Sequence, residues 1–399
     1  ERSALWANFA WATLLAESEK QVFPDGVNKE QAIYYHCWVL EYFVINLLLV
    51  SHAGRRCPQE FSDVIGRMAQ FVHDLGPTTD GPPQIGDADD GTALLFDAAA
   101  TPLYRDMLDT VQCLAGAGTR QDASIKARCY AALLGDPASP RPRAIVATDY
   151  PVTYPEGGYA IIGDPGLHLV FDCGPLGYPA IAAHGHADIL NICLAIDGQW
   201  WIVDPGTYAY HSEHAWRNYF RGSSAHNVLC VNRRDQSTIG GPFMWIKHAN
   251  AHFKGVDAVG SRQTVSGWHD GYLGEGVPKV ERTVEFDSAG QRFEVIDAVA
   301  TQRDVEIAIQ YHFSPGIYCI DQAGSSILLG REGSTKALRI EFPPESSVAS
   351  YRGDTETKFG WYSPGLGLKQ ECLTLRAASG VSKDATWSTI LSIEEIKKG

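Results

Sequence analysis

"HGHADILNICLAIDGQWWIVDPG" (residues 184–206) frames the reading of the whole chain. Within it, "AIDGQW" fits a two-residue Asp197-Gly198 turn, because a tight hairpin asks both central residues for positive φ, and Asp-Gly tolerates that. Such a turn pairs Ile196 with Gln199 and, counting back, Asn191 with Asp204. The strands are apolar, yet His184, His186, Asp188 and Asp204 gather at the open end. A straight chain rising about 3.4 Å per residue would carry His186 far from Asp204. A shared site therefore requires "HGHAD" to curl back over the sheet end, which Gly185 and Ala187 make sterically easy.

Outward from this hairpin the chain divides in two. From residue 3 to about 135, apolar residues recur at helical spacing in "LWANFAWATLLAESEKQV", "KEQAIYYHCWVLEYFVINLLLVSH", "PQEFSDVIGRMAQFVHDL", "TPLYRDMLDTVQCLAG" and "DASIKARCYAALLG". Turns as short as "FPDGVN" and "GRRCPQE" make consecutive helices antiparallel neighbours. "GDPASPRPRAIVATDYP" (135–151) loses the period and reads as a linker, so we place a domain boundary near residue 145, with domains over 1–145 and 146–399. Beyond it, "GGYAIIGDPGLHLVFDCG", "AHNVLCVN", "KVERTVEFDSAGQRFEVIDAVA", "VEIAIQYHFSPG" and "STKALRIEFP" alternate with period two between glycine turns. Short strands without intervening helices predict an antiparallel sandwich, and the fold class is α+β.

At 399 residues and 45% hydrophobic content the chain can fill two cores. A formal net charge of -14 argues against broad adhesion to nucleic acid or anionic lipid. A polyanionic ligand would need a local basic cleft, for which Arg217, Arg221, Arg233, Arg234 and Lys247 are candidates; the plain reading of each is surface charge. "CWVLEYFVINLLLV" (37–50) is short for a bilayer and contains Glu41 and Asn46, so it reads as a buried helix, not a membrane span. Nine cysteines without C-x-x-C spacing indicate reduced core thiols, which leans towards cytoplasm. The chain opens inside a helical pattern, so a preceding segment is expected, and any signal peptide would lie there.

Three stretches carry candidate chemistry. Steps of three and four put Gln31, Tyr35, Trp38 and Tyr42 on one side of the second helix. Rings that stack on sugar faces, beside hydroxyl and amide groups, suit a carbohydrate cleft; the ordinary alternative is an aromatic core stripe. Glu30 and His36 flank it as caps or solvated side chains. "PQIGDADDG" (83–91) has the carboxylate density of a cation site, but Asp and Gly are ordinary turn formers and the turn reading is preferred. "RGSSAHNVLCVN" places His226 at the start of a strand. His186, Asp204 and His226 together offer two imidazoles and a carboxylate, a donor set suited to zinc, although a single histidine is more often a hydrogen-bonded core residue. The H-x-H-x-D pattern also opens the metal motif of metallo-β-lactamase-type hydrolases. That motif requires a histidine after Asp188, where Ile189 stands, and the helical front half does not match its layered fold.

Taken in order, "QVFPDGVNKEQAIYYHCWVLEYF", "HGHAD" with "VDPGTYAY", and "FRGSSAHNVLCVN" resemble the motifs of the heparinase II/III-like polysaccharide lyases over nearly the whole chain. The resemblance implies an incomplete α/α toroid packed on a multilayered antiparallel β-sandwich, with the active cleft between them. It implies Tyr35 as catalytic tyrosine, His184 as the histidine facing it across the cleft, and His186, Asp204 and His226 as ligands of a structural zinc. Gln31, Trp38 and Arg221 are the expected substrate contacts. The activity implied is β-elimination on a uronic-acid-containing polysaccharide, a glycosaminoglycan or alginate, with Tyr35 as base and acid, shedding its proton near a cation and returning one to the leaving oxygen, and His184 as the opposite partner. The family also implies a periplasmic or secreted protein, and a homodimer is a further expectation. One departure stands out: the family's carboxylate-neutralising Asn or His would precede residue 1. A second function class is therefore carried, a non-catalytic polysaccharide-binding or assembly protein of the same fold.

Overall fold

The computed structural model describes residues 2–77, 80–96, 101–117, 122–133 and 140–396. The expected helices form as α1 (Arg2–Gln21), α2 (Ile33–His52), α3 (Gln59–Leu75), α4 (Leu103–Ala115) and α5 (Ile125–Leu133). Of the linker reading, residues 135–139 lie outside the described residues, and 140–151 form neither helix nor strand.

Helix α2 is long and apolar enough to cross a membrane by length and composition. Its Leu40, Val44 and Leu47 are instead packed with Ile65, Met68 and Val72 of α3 and Met107 and Val111 of α4. Each such side chain contributes roughly 1.5–3 kcal/mol through burial. Glu41, buried on the same helix, is matched by Lys126 Nζ of α5 at 2.9 Å and by the Tyr130 hydroxyl at 3.2 Å. A charge that would be costly in lipid is thus paired inside the helical layer.

Strands β1 (Val152–Tyr154), β2 (Tyr159–Asp164), β3 (Leu167–Asp172), β4 (Asn191–Ile196) and β5 (Gln199–Ile202) form an antiparallel sheet in chain order. This sheet is the middle layer of the molecule. Tyr159, Ile161, Val170, Cys193 and Trp200 face the helices, while Ala160, Ile162, Leu169, Phe171, Ile192 and Leu194 face the outer sheets. Every position of β3 and β4 is buried. Two-sided burial explains why "LHLVFD" and "NICLAI" are mostly apolar at successive positions, with His168, Asp172 and Asn191 the exceptions, and not the period-two alternation expected of them. True alternation appears in the outer eight-stranded sheet, where Lys279–Asp287 buries every second residue.

The hairpin turn forms as expected, with φ of 50° at Asp197 and 78° at Gly198, and Ile196 opposite Gln199. A bulge between Leu194 and Ala195 then shifts the register, placing Leu194 opposite Ile202. The backbone pairing of Asn191 with Asp204 is lost, because the extra residue moves the strand along by one. Their side chains still meet, Asn191 Nδ2 donating to Asp204 Oδ2 at 2.9 Å. The β half is also not free of helix: α6 (His214–Phe220) sits within it. Seven residues are too few for a helical period to show in sequence, and α6 is held by aromatic packing of Tyr208, Trp216, Tyr219 and Phe220. All nine cysteines are free thiols.

Candidate functional site

The site assembles where the start of α2, the loop between α3 and α4, and the open end of the β4–β5 hairpin meet. Gln31 has a φ of 56°, so α2 begins only at Ile33 and Gln31 leaves the stripe predicted for it. It is 5% exposed, and its amide donates to Gly157 O at 3.2 Å. From Tyr35 onwards the spacing holds: ring centroids lie 5.7 Å apart for Tyr35 and Trp38, and 5.9 Å for Trp38 and Tyr42. Tyr42 is 46% exposed, while Trp38 is half-buried against the helical core, so the stripe runs from core to surface.

The loop "PQIGDADDG" is stitched to both sides of the site. Ile33 N donates to Ile85 O at 3.0 Å, and the Tyr34 hydroxyl to Gly91 O at 2.5 Å. Towards the sandwich, Asp87 N donates to His184 O at 2.9 Å, and Ala88 N to Thr207 Oγ1 at 3.0 Å. Gly86 is required here, with φ of 72° and the Gln31 carbonyl only 2.6 Å from where a Cβ would stand. Turn chemistry is present, Gly91 N donating to Asp89 Oδ1 at 3.0 Å, and the loop also delivers two carboxylates to the site.

Tyr35 and His184 come together, but not across a gap. Their rings stack with centroids 3.7 Å apart and planes 17° from parallel. The Tyr35 hydroxyl donates to Asp89 Oδ2 at 3.1 Å and lies 3.3 Å from the Tyr210 hydroxyl. Burial pushes the Tyr35 phenol above its ordinary pKa; the Tyr210 hydrogen bond works the other way, and Asp89 and Asp87 reinforce the rise. The expected cation beside the phenol is replaced by carboxylates, which keep it protonated. Phe243 closes one side, its ring edge-on to Tyr210 at 5.0 Å and to His184 at 6.0 Å.

Beneath the pair lies Asp87, fully buried. His184 Nδ1 is 3.3 Å from its Oδ2, His186 Nε2 3.0 Å from its Oδ1, and Arg217 NH2 2.7 Å from its Oδ2, with Arg217 NH1 closing on Oδ1. Burial opposes ionisation of Asp87, yet hydrogen bonds from both histidines and the Arg217 guanidinium outweigh it and hold the carboxyl well below its usual range.

The curl of "HGHAD" forms. Ala187 N donates to Arg221 O at 2.9 Å and Asn191 N to Asp188 O at 2.8 Å, while Leu190 takes a φ of 74°. Gly185 serves it by close approach, since a Cβ there would stand 1.4 Å from Leu176 O. The curl brings His186, Asp204 and His226 into one buried group, each with a ligand atom within 4.8 Å of the others. His186 Nδ1 and His226 Nε2 are buried nitrogens without a hydrogen-bond partner among the described residues. Burial pushes the His186 imidazole down to about 4, so it is neutral at pH 7. Two unsatisfied imidazole nitrogens beside a carboxylate fit a zinc ion, which takes nitrogen and oxygen donors of this kind.

Of the five candidates for a basic cleft, Lys247 is exposed, as the surface-charge reading has it, whereas Arg217 and Arg221 are buried, against that reading. Arg217 is spent on Asp87, and Arg221, fully buried, donates from NH1 to Gly241 O at 2.6 Å and Pro242 O at 2.7 Å over the Trp245 ring. Arg221 therefore braces the adjoining turn and is withdrawn from substrate. Arg233 and Arg234 pair with Glu306 and Glu275. Sequence reasoning missed Asp87, Asp89, Tyr210 and Phe243; the carboxylate density of "GDADDG" was the one signal for the first two.

With this geometry in view, the family described as Heparinase II/III-like, C-terminal, matches residues 148–389, and Heparinase II/III N-terminus matches residues 1–102. Among solved structures, heparan sulfate lyase HepC from Pedobacter heparinus superposes with a TM-score of 0.74 at 15% identity, over 100% of this chain and 57% of that one. A solved heparinase III gives 0.73 at 15% identity, over 100% and 59% respectively. At this identity the likeness is one of fold, and the chain spans less than two thirds of the length of either structure. No curated protein matches the chain.

Proposed function

Because the chain belongs to the heparinase II/III-like family, we propose that it is a polysaccharide lyase that cleaves an acidic, uronic-acid-containing polysaccharide by β-elimination. The observation that carries this reading is the stacked Tyr35–His184 pair, each ring polarised by its own carboxylate. A carboxylate only accepts, so the His184 nitrogen facing Asp87 bears the proton, and Nε2 keeps its lone pair as a base. The protonated Tyr35 phenol supplies the acid.

In the proposed reaction His184 Nε2 takes the proton from C5 of the uronate. The electron pair of that C–H bond forms the C4–C5 double bond, and the C4–O bond breaks towards the leaving oxygen. That oxygen takes the Tyr35 proton, and solvent restores both groups. Rings 3.7 Å apart leave no room for a sugar between them, so base and acid reach the substrate from one side. That favours syn elimination, in which H5 and O4 share a face, as in D-glucuronate and D-mannuronate. Trp38 and Tyr42 extend the platform for neighbouring sugars. Zinc held by His186, Asp204 and His226 would supply a fixed positive centre that braces the turn carrying His184.

The test is incubation of the full-length protein with heparan sulfate, hyaluronan and alginate, read by the ultraviolet absorbance of unsaturated uronates. Product is expected from glucuronate- or mannuronate-rich chains. Tyr35→Phe should lower turnover by about two to four orders of magnitude while the fold persists. Binding without product from every polymer would replace this reading with the non-catalytic one.

A further inference from the structure

We infer that Asp87 is a positioning residue that ties metal binding in the sandwich to the aim of His184, although it touches neither metal nor substrate. Its two oxygens serve different histidines: Oδ1 accepts from His186 Nε2 at 3.0 Å, and Oδ2 from His184 Nδ1 at 3.3 Å. Its own backbone N–H holds the His184 carbonyl at 2.9 Å. The carboxylate cannot turn, because Arg217 grips both oxygens and is itself anchored by donation from Nε to Pro242 O at 3.0 Å.

One side chain thus selects both tautomers. With the proton of His186 on Nε2, the lone pair of the neutral ring sits on Nδ1, the unpartnered nitrogen facing the group with Asp204 and His226. With the proton of His184 on Nδ1, its lone pair sits on Nε2. Zinc held by His186, Asp204 and His226 would strengthen the Nε2–H donation of His186 to Oδ1, and the rigid carboxylate would pass that ordering to His184. Asp87 comes from the loop between α3 and α4, so the helical side of the molecule governs a metal group whose ligands all lie in the β half.

This inference rests on the metal reading and not on the lyase reading, and its test uses no activity. The full chain is titrated with zinc chloride against a chromophoric chelator, and histidine tautomers are followed by 15N NMR. In the unaltered protein, His184 should hold the Nδ1-protonated form throughout, and zinc should shift its 15N signals without changing the tautomer. Asp87→Asn should weaken zinc binding by about 10- to 100-fold and leave His184 in mixed tautomers. Because that change strands Arg217, the double variant Asp87→Asn with Arg217→Gln removes both charges and should show the same two effects. Unchanged zinc affinity in a folded variant, or a His184 ring indifferent to zinc in the unaltered protein, overturns the role of Asp87. A protein that binds no zinc at all overturns the metal reading together with it.

Discussion

Lys369 is a candidate contact for the proposed acidic substrate. Its ammonium lies 4.1 Å from the Trp216 ring centroid and 4.2 Å from that of Tyr208, and donates to the Tyr208 hydroxyl at 3.2 Å. Tyr208 is two residues from Tyr210, which touches Tyr35. The loop beside Lys369 is fixed to the site by Leu366 N donating to Asp90 Oδ2 at 2.9 Å and Gly367 N to Tyr208 O at 2.7 Å. Aromatic faces hold the cation without neutralising it as a carboxylate would. Lys369→Ala is therefore expected to raise KM for an acidic polysaccharide about 10-fold with kcat nearly unchanged, matching the worth of one hydrogen bond to a charged group. Steady-state kinetics at two salt concentrations check this: the penalty should shrink as salt screens the cation, and an unaltered KM would remove Lys369 from substrate recognition. Little of this was visible in sequence, where Lys369 stands more than 150 positions from Tyr208 and Trp216.

Helix α2 does two jobs, presenting Tyr35 outward and locking its inner face to α3. His36 performs the second: Nδ1 accepts from Asn28 N–H at 3.2 Å, and Nε2 lies 3.0 Å from Met68 O, to which it donates. The cap or solvated role expected from sequence is replaced by a buried, neutral imidazole. Burial pushes it down to about 4, and His168, between Tyr150 and Leu75 O, likewise to about 4. Both folded values lie below the roughly 6.5 of an unfolded histidine. The unfolded chain thus takes up protons first as pH falls, and stability is lost between about pH 6.5 and 4, by roughly 3 kcal/mol for each group. The urea midpoint should fall between pH 7 and pH 4.5, and His36→Gln should flatten part of that slope. An identical pH slope in that variant would mean that His36 does not titrate in this range.

Across the whole molecule, the middle sheet is shared by two cores, and the candidate site sits where its open end meets the helices. The group His186, Asp204 and His226 draws on three separated points of the β half, and zinc bound there would pin them together. A ligand that binds only the folded state stabilises it by about 2.7 kcal/mol at 100 times its Kd. Chelation of zinc should accordingly lower the melting temperature by several degrees, and His186→Ala should abolish the response to added zinc; a melting curve indifferent to chelator and to zinc would remove the brace. The sequence alone determined the helical front part, the antiparallel β half, the Asp197-Gly198 turn and the pairing of motifs that marks the family, because periodicity, turn chemistry and short motifs are local in the chain. Only the tertiary structure decided that Asp87 and Asp89 lie under the histidine and the tyrosine, that Arg217 and Arg221 are buried supports, and that the catalytic candidates touch instead of facing each other. Those outcomes depend on contacts between residues distant in the chain, 54 positions for Tyr35 to Asp89 and 130 for Arg217 to Asp87. A charged residue carries no local mark of whether such a partner will desolvate it, neutralise it or leave it free for a substrate.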